Sequence, residues 1–242
     1  KWNGDVLVKG TLIRDHKNDT MIYVRELATS VYSVKKVLDS DLDLGDISLE
    51  GARFYLTKYE GDTSDNLTIF SRKFASNNSQ GNTNFLLASD DVLITDGRFM
   101  YINEELNDPF VLDYQNLTTE WEDFVKNNQT VDAHITSLSF DAIKGYQIRT
   151  LDGIFHYDPD LISLNDFSLT TDDSSLEGDI TLDTSDGALD DFNTLVEVKA
   201  AFAKAEISTN DIRPFYNDIA PDVTLSIQGD LSGYLNDFRV PN

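Results

Sequence analysis

Cysteine is absent from this chain of 242 residues. Its absence excludes disulfides, thiol catalysis and thiolate metal sites, and argues against a small disulfide-stapled secreted domain. The sequence also has no run of about 18 apolar residues, so we expect no transmembrane helix within it. It has no initiator Met and starts in the middle of a pattern. We therefore interpret it as an excised piece of a longer protein, whose signal peptide or membrane anchor would lie upstream.

Basic residues are few, with 19 Lys and Arg against 43 Asp and Glu, and the formal net charge is −24. A chain of this charge repels the phosphates of nucleic acid, and direct docking on an anionic bilayer is disfavoured. Hydrophobic residues make up 40% and aromatic residues 11%, which is enough for a folded core. We expect a folded, acidic protein that does not bind nucleic acid.

Residues that carry chemistry are also scarce. The three histidines are scattered, and none has a second histidine at metal-ligand spacing. No phosphate-binding loop and no nucleophile elbow is present. Adjacent acids fall in predicted turns, where solvated carboxylates are usual: Asp90-Asp91, Glu104-Glu105, Asp172-Asp173 and Asp190-Asp191. The sequence therefore predicts neither an enzyme nor a cofactor or metal site.

The most informative stretch runs from Ser48 to Leu56. Ile47 and Leu49 share one face of a period-two pattern, but after Gly51 the apolar set resumes at Phe54 with the opposite parity. Such a change indicates a glycine-containing β-bulge with one inserted residue. Parts of the stretch recur at Asp96–Tyr101, Asp152–Tyr157, Ser175–Gly178 and Ser226–Gly229. A chain that repeats one bent strand predicts a curved, repetitive sheet.

Turn signals every 8–12 residues or so suit an all-β protein, and we count roughly fifteen strands and two short helices. One strand is predicted at Leu67–Phe70, and the helices at Val31–Leu38 and from Asp211 to about Asp218. We predict a mainly antiparallel fold in which an elongated, curved sheet forms a trough. We also predict a single repetitive domain over residues 1–242, with a possible loop-rich break near residues 75–90.

Several stretches, taken in order, resemble a known family. They are Asp19–Leu27, Ile47–Leu56, Asn66–Phe70, Asp211–Tyr216 and Leu225–Asn236. Their order is similar to the N-terminal part of TamB-like proteins of the Bacteroidetes type, which belong to the AsmA-like group. The resemblance covers most of the chain, with less of it between Ser76 and Glu120.

The resemblance implies a segment of a periplasmic protein that is anchored in the inner membrane in its full-length form. Members of the group form a long β trough with an apolar lining, which bridges the inner and outer membranes. The implied role is phospholipid transport, assembly of outer-membrane proteins, or both. The implied partners are phospholipid acyl chains and outer-membrane assembly proteins. The family supplies no catalytic residues.

The alternating apolar residues of the predicted strands form the candidate lipid-groove lining. They are Ile47, Leu49, Phe54, Leu56, Val92, Ile94, Phe99, Tyr101, Phe155, Tyr157, Val196, Val198, Phe202, Val223, Leu225 and Ile227. Alternation alone does not distinguish an open groove from a closed core. Two other functions stay open: a scaffold that offers sheet edges to client strands, and a β-sandwich that binds glycan or protein ligands, with Trp2 or Trp121 as a glycan platform.

Overall fold

The computed structural model describes residues 4–31, 41–70, 86–105, 110–127, 129–215, 218–234 and 237–239. Fourteen strands occupy most of them: β1 (Gly4–Arg14), β2 (Thr20–Val31), β3 (Asp41–Glu50), β4 (Arg53–Lys58), β5 (Leu86–Asn103), β6 (Phe110–Asn127), β7 (Thr130–Ala142), β8 (Gln147–Ile148), β9 (Thr150–Asp158), β10 (Leu161–Thr170), β11 (Ser175–Asp183), β12 (Glu197–Ser208), β13 (Thr224–Tyr234) and β14 (Asp237–Arg239). The prediction of an all-β protein is confirmed.

The chain divides into two compact units. Unit 1 comprises Lys1–Glu120 and Phe140–Gly145, and unit 2 comprises Trp121–Ser139 and Tyr146–Asn242. The strand order is β1-β2-β3-β5-β6 in unit 1, where β4 pairs with β2 and β5. In unit 2 the order is β6-β7-β9-β10-β11-β12-β13-β14. Of the predicted break near residues 75–90, residues 75–85 lie outside the described residues and residues 86–90 begin β5.

Antiparallel pairing dominates, as predicted. It joins β1 to β2, β2 to β3 and β4, β7 to β9, and each successive pair from β9 to β14. The exceptions are β3–β5 and β4–β5, which are parallel. These parallel pairs set Arg53 beside Arg98 and Phe54 beside Phe99. Two copies of the sequence repeat therefore lie next to each other in register.

The bend at Gly51 contains no inserted residue, which corrects the bulge prediction there. Glu50 pairs with Thr95 before the glycine and Arg53 pairs with Arg98 after it, so the offset between the two strands is unchanged. No shift is needed because the neighbouring strand bends at the same level. Gly51 and its counterpart Asp96 both have positive φ, 64° and 49°. In β1, Gly10 lies at this level with φ 68°.

Unit 2 is organised by an alternating row of glycine and phenylalanine. Phe167 pairs with Gly178, Gly178 with Phe202, and Phe202 with Gly229, across four strands. The rings of Phe167 and Phe202 meet edge to face with centroids 6.5 Å apart. Both rings lie in the core, where they are 2% and 8% exposed. Leu151, Ala200 and Ala205 complete this buried cluster.

At the level of this row, β10 shifts its register against both of its neighbours, and so does β12. Each of these two strands therefore contains one extra residue. In β10 the extra residue accompanies a positive φ of 50° at Asp166. The predicted bulges therefore exist in unit 2, but on the strands next to the repeated glycines.

The helices are short. Residues 66–70 form a helical turn, so the prediction of a strand at Leu67–Phe70 is wrong. The Asp65 carboxylate caps this turn by accepting hydrogen bonds from the backbone N–H of Thr68 at 2.9 Å and from its hydroxyl at 2.7 Å. A side-chain cap of this kind outweighs an alternation of only four residues. Other helical turns span Ser185–Asp191, as a 3-10 helix, and Phe192–Leu195.

The predicted C-terminal helix is shorter and begins earlier than expected. It spans Thr209–Ile212, and its cap is Ser208, whose hydroxyl accepts a hydrogen bond from the Asn210 N–H at 3.2 Å. For the other predicted helix, Val31 ends β2 and residues 32–38 lie outside the described residues. No helix among the described residues is long and apolar enough to cross a membrane.

Candidate apolar ligand-binding face

Before the bend, two rows of side chains cross the first strands of unit 1. One row is Val8, Leu27, Leu49 and Ile94, on β1, β2, β3 and β5. The other is Val6, Thr29, Ile47 and Val92 on the same strands. Residues that pair in register point to the same side of a sheet. Four of the predicted lining residues therefore share one face.

After the bend, a further row of apolar side chains forms from Ile13, Ile22, Phe54 and Phe99. Strict alternation would put this row on the opposite side from Ile94. However, a Cβ built on Gly97 would lie 3.2 Å from Cγ2 of Ile94, so positions 94 and 97 face the same side. Phe99 follows Gly97 by two residues and faces that side too. The left-handed residue at position 96 thus reverses the alternation and keeps the apolar rows on one face.

Between the rows on either side of the bend lies a row of small residues. In this row, Val24 pairs with Thr11. The register of the neighbouring pairs places Val24 opposite Ala52, and Ala52 beside Gly97. Val24 is 4% exposed and Ala52 is fully buried. Small buried residues between rows of larger, half-exposed ones are the pattern of a concave corner. We interpret the bend as closing towards the apolar face.

The eight predicted lining residues in unit 1 share one degree of exposure. All are half-buried: Ile47, Leu49, Phe54, Leu56, Val92, Ile94, Phe99 and Tyr101. At the outer strand of the same face, Val6 and Val8 are 40% and 41% exposed. Aromatic rings extend the face onto β6 and β7, since Tyr114 stacks at 6.0 Å from Phe99 and at 4.4 Å from Phe140. This apolar surface is therefore partly accessible to solvent, most of all at its outer strand.

On the opposite face of the sheet, a charged network lies at the level of the bend. Arg25 donates to Asp96 at 2.9 Å and to Glu50 at 2.7 Å. Glu50 alternates with Leu49, so this network lies away from the apolar rows. Hydrogen bonding to Arg25 lowers the pKa of Asp96. The Arg25 side chain also covers Gly51, where an added Cβ would lie 2.9 Å from its Cβ. At the bend, this charged network and the apolar rows therefore lie on opposite faces of the sheet.

The predicted lining residues in unit 2 differ among themselves in exposure. Val196, Val198 and Phe202 are buried at 0%, 9% and 8%, so they belong to a packed core and not to an open lining. Val223 and Leu225 are exposed at 42% and 44%. Phe155, Tyr157 and Ile227 are half-buried. The structure does not make one uniform surface from the sixteen residues, and the open part with continuous rows lies in unit 1.

The aromatic residues suggested as a glycan platform are only partly visible. Trp2 lies outside the described residues. Trp121 is half-buried, and its ring packs against Phe124 at 5.8 Å and Phe155 at 6.3 Å. It is therefore one member of an aromatic cluster and does not stand alone on the surface.

Polar chemistry gathers at places that the sequence did not indicate. His134 and His156, 22 positions apart in the sequence, lie on the paired strands β7 and β9. Asp90 and Asp91 were expected in a turn but are exposed residues within β5. Across the part of the chain that the structure describes, no group of three or more potential ligands is arranged to hold a metal ion. Period-two alternation could have predicted the histidine pair only if the pairing of β7 with β9 had been known.

A scan against protein-family models finds no matching family. A search of the curated proteins likewise finds no match. The resemblance to TamB-like proteins therefore stays a hypothesis that rests on the order of short motifs, and the function is argued below from the apolar face.

Proposed function

We propose that this chain is a non-enzymatic β segment whose apolar face binds the acyl chains of phospholipid. The observation that carries the proposal is the set of rows in unit 1, where larger apolar side chains from four neighbouring strands flank the small residues of the bend and remain partly exposed. A monomer rarely leaves an apolar patch of more than a few hundred Å² uncovered. A face of this kind calls for an apolar ligand.

Acyl chains suit this face because they need area and no specific chemistry. Each methylene that leaves water contributes about 0.8 kcal/mol. A row of similar apolar side chains offers comparable contact at each level, so a chain can move along it without a deep energy minimum. The headgroup can stay in water beyond the rim of the face.

The resemblance to TamB-like proteins supplies the cellular setting of the proposal. The chain would be a periplasmic segment of a longer protein that is anchored in the inner membrane and reaches towards the outer membrane. In that protein it would carry phospholipid, assist the assembly of outer-membrane proteins, or do both. Outer-membrane assembly proteins would be its protein partners.

Photocross-linking at matched positions tests lipid binding directly. Leu49 is replaced by a photoreactive phenylalanine analogue on the apolar face, and Leu93 by the same analogue on the opposite face, where it pairs with Ser48 and is 37% exposed. After gentle purification from a Gram-negative host, we expect phospholipid adducts in mass spectra at position 49 and not at position 93. Equal labelling, or no labelling at either position, would contradict the proposal.

One observation favours a second candidate, strand addition at the edge of unit 1. Strand β1 ends the strand order of that unit, and its Leu7 and Leu12 are 56% and 47% exposed. An exposed apolar edge can accept the extended strand of a client protein. With the same analogue placed at position 7 as well, adducts of peptide mass at position 7, without lipid at position 49, would favour this scaffold function. The glycan-binding sandwich has less support, because within each unit the described strands follow one order and not two stacked layers.

A further inference from the structure

On the outer face of unit 2, two histidines each lie between two carboxylates. His156 on β9 has Nδ1 2.6 Å from Oδ1 of Asp132 and Nε2 3.3 Å from Oδ2 of Asp158. By alternation with Phe155, this side chain points away from the apolar side of β9. Asp132 is the cross-strand partner of His156 on β7. The contact therefore joins two strands directly.

His134, one level along β7, also lies beside two carboxylates, but it is beyond hydrogen-bonding distance of both. Its Nδ1 lies 3.7 Å from Oε2 of Glu122 on β6, and its Nε2 lies 3.6 Å from Oδ1 of Asp152 on β9. Asp123 on β6 and Asp166 on β10 line the same depression, which has a volume of about 490 Å³. Across from His156 on β10 is Ser163, which carries no charge. Among the described residues named here, every charged group beside the two rings is thus a carboxylate.

The chemistry of the contacts fixes the protonation state that fits them. An ionised carboxylate can only accept hydrogen bonds, whereas a neutral imidazole has one donor and one acceptor nitrogen. A ring with carboxylates at both nitrogens is satisfied only as an imidazolium, which donates from both. When the proton is lost, one nitrogen lone pair faces a carboxylate, and the surrounding negative charge is no longer balanced.

We propose that His156 forms a proton-dependent staple that ties β7 and β9 together at lower pH and releases them as the pH rises. The hydrogen bond to Asp132 and the second contact with Asp158 raise the pKa of His156 above its usual value, and burial opposes them only in part. A histidine whose pKa is higher in the folded state adds stability below its unfolded pKa near 6.5, and this stability is lost as the pH rises through the folded pKa. The staple lies away from the apolar rows and does not depend on the lipid proposal.

The first test compares unfolding at pH 6 and pH 8.5 in the whole chain. Between these pH values, we expect the melting temperature of unit 2 to fall by about 2–4 °C or more in the wild type beyond any fall in the variant His156→Gln. The matched control is His16→Gln, because His16 lies in unit 1 and contacts a single carboxylate, Asp62, at 2.6 Å. A fall in His156→Gln as large as that in the wild type, or the loss of the wild-type fall in His16→Gln, would overturn the proposal.

A second measurement remains informative if His156→Gln folds poorly. Nuclear magnetic resonance of the intact chain gives the His156 pKa directly, and we expect a value above 6.5 that falls in Asp132→Asn. Amide hydrogen exchange in β7 and β9, corrected for the intrinsic rate, should be slower at pH 6 by up to about tenfold for each unit by which the pKa is raised. A His156 pKa at or below 6.5, or exchange in β7 and β9 that does not depend on pH, would refute the staple.

Discussion

Truncation of two phenylalanines, one in each unit, tests whether the apolar face of unit 1 is open. Phe54 is half-buried between Ile22 and Phe99, whereas Phe167 is 2% exposed within the packed core of unit 2. The variants are Phe54→Ala and Phe167→Ala. Both remove the same atoms from a strand, so the difference between them reports the surroundings of the ring and not the substitution.

The expected magnitudes follow from burial. Complete burial of a phenylalanine side chain contributes about 1.5–3 kcal/mol, so a half-buried ring contributes about 1–1.5 kcal/mol. Truncation of a fully packed ring adds the cost of a cavity and reaches about 3–5 kcal/mol. We therefore expect Phe167→Ala to destabilise unit 2 by at least about twice as much as Phe54→Ala destabilises unit 1.

Hydrogen exchange read by mass spectrometry is the suitable assay, because it gives a free energy of opening for each unit separately. The same samples, examined by native mass spectrometry, report bound phospholipid. Phe54→Asp should keep unit 1 folded and lose most of the lipid. If Phe54→Ala costs as much as Phe167→Ala, or if Phe54→Asp unfolds unit 1, the face is a closed core and the reasoning is refuted.

Further substitutions test the packing of the two units. Gly178→Ala would set a Cβ 2.1 Å from the carbonyl oxygen of Ala201, and we expect it to lower the free energy of unfolding by about 3 kcal/mol or more. In the control Gly145→Ala, the added Cβ meets no atom within 4 Å, and we expect a cost of about 1 kcal/mol through its positive φ. Equal urea midpoints for the two variants would contradict this. Arg98→Leu leaves the buried Asp113 carboxylate without its 2.6 Å ion pair, and we expect a loss of about 2–3 kcal/mol that replacement of both residues by Leu largely restores. Hydrogen bonding to Arg98 lowers the pKa of Asp113, so its contribution is present above a pH of about 4 and is lost as the pH falls further; Asp113→Asn should therefore lose less stability than wild type between pH 7 and pH 3.

The all-β, mainly antiparallel fold could be predicted because its signals are local. Alternation at Leu161–Thr170, Leu176–Leu182 and Val196–Phe202 falls within β10, β11 and, except for Val196 itself, β12. The sequence repeat was also detectable, and its copies lie side by side in β4 and β5. Alternation predicted the wrong element at residues 66–70, because the hydrogen bonds of Asp65 decide the local structure there.

The candidate site depended on information that alternation does not contain. Leu49 and Phe202 have the same pattern in the sequence, yet Leu49 is half-exposed and Phe202 is in a core. The difference arises from the neighbours that strand pairing supplies. Phe202 lies between two glycines and meets the ring of Phe167, whereas Leu49 lies beside Leu27 and Ile94 in a row that stays half-exposed.

The sequence by itself therefore determined the bent, repeated strand around Gly51, since a change of parity at a glycine is a local property of the chain. Only the tertiary structure decided what the bend does. Because Asp96 bends the neighbouring strand at the same level, no residue is inserted and the apolar rows before and after the bend stay on one face. That alignment, and the meeting of His134 and His156 with carboxylates from other strands, depends on contacts between residues far apart in the sequence.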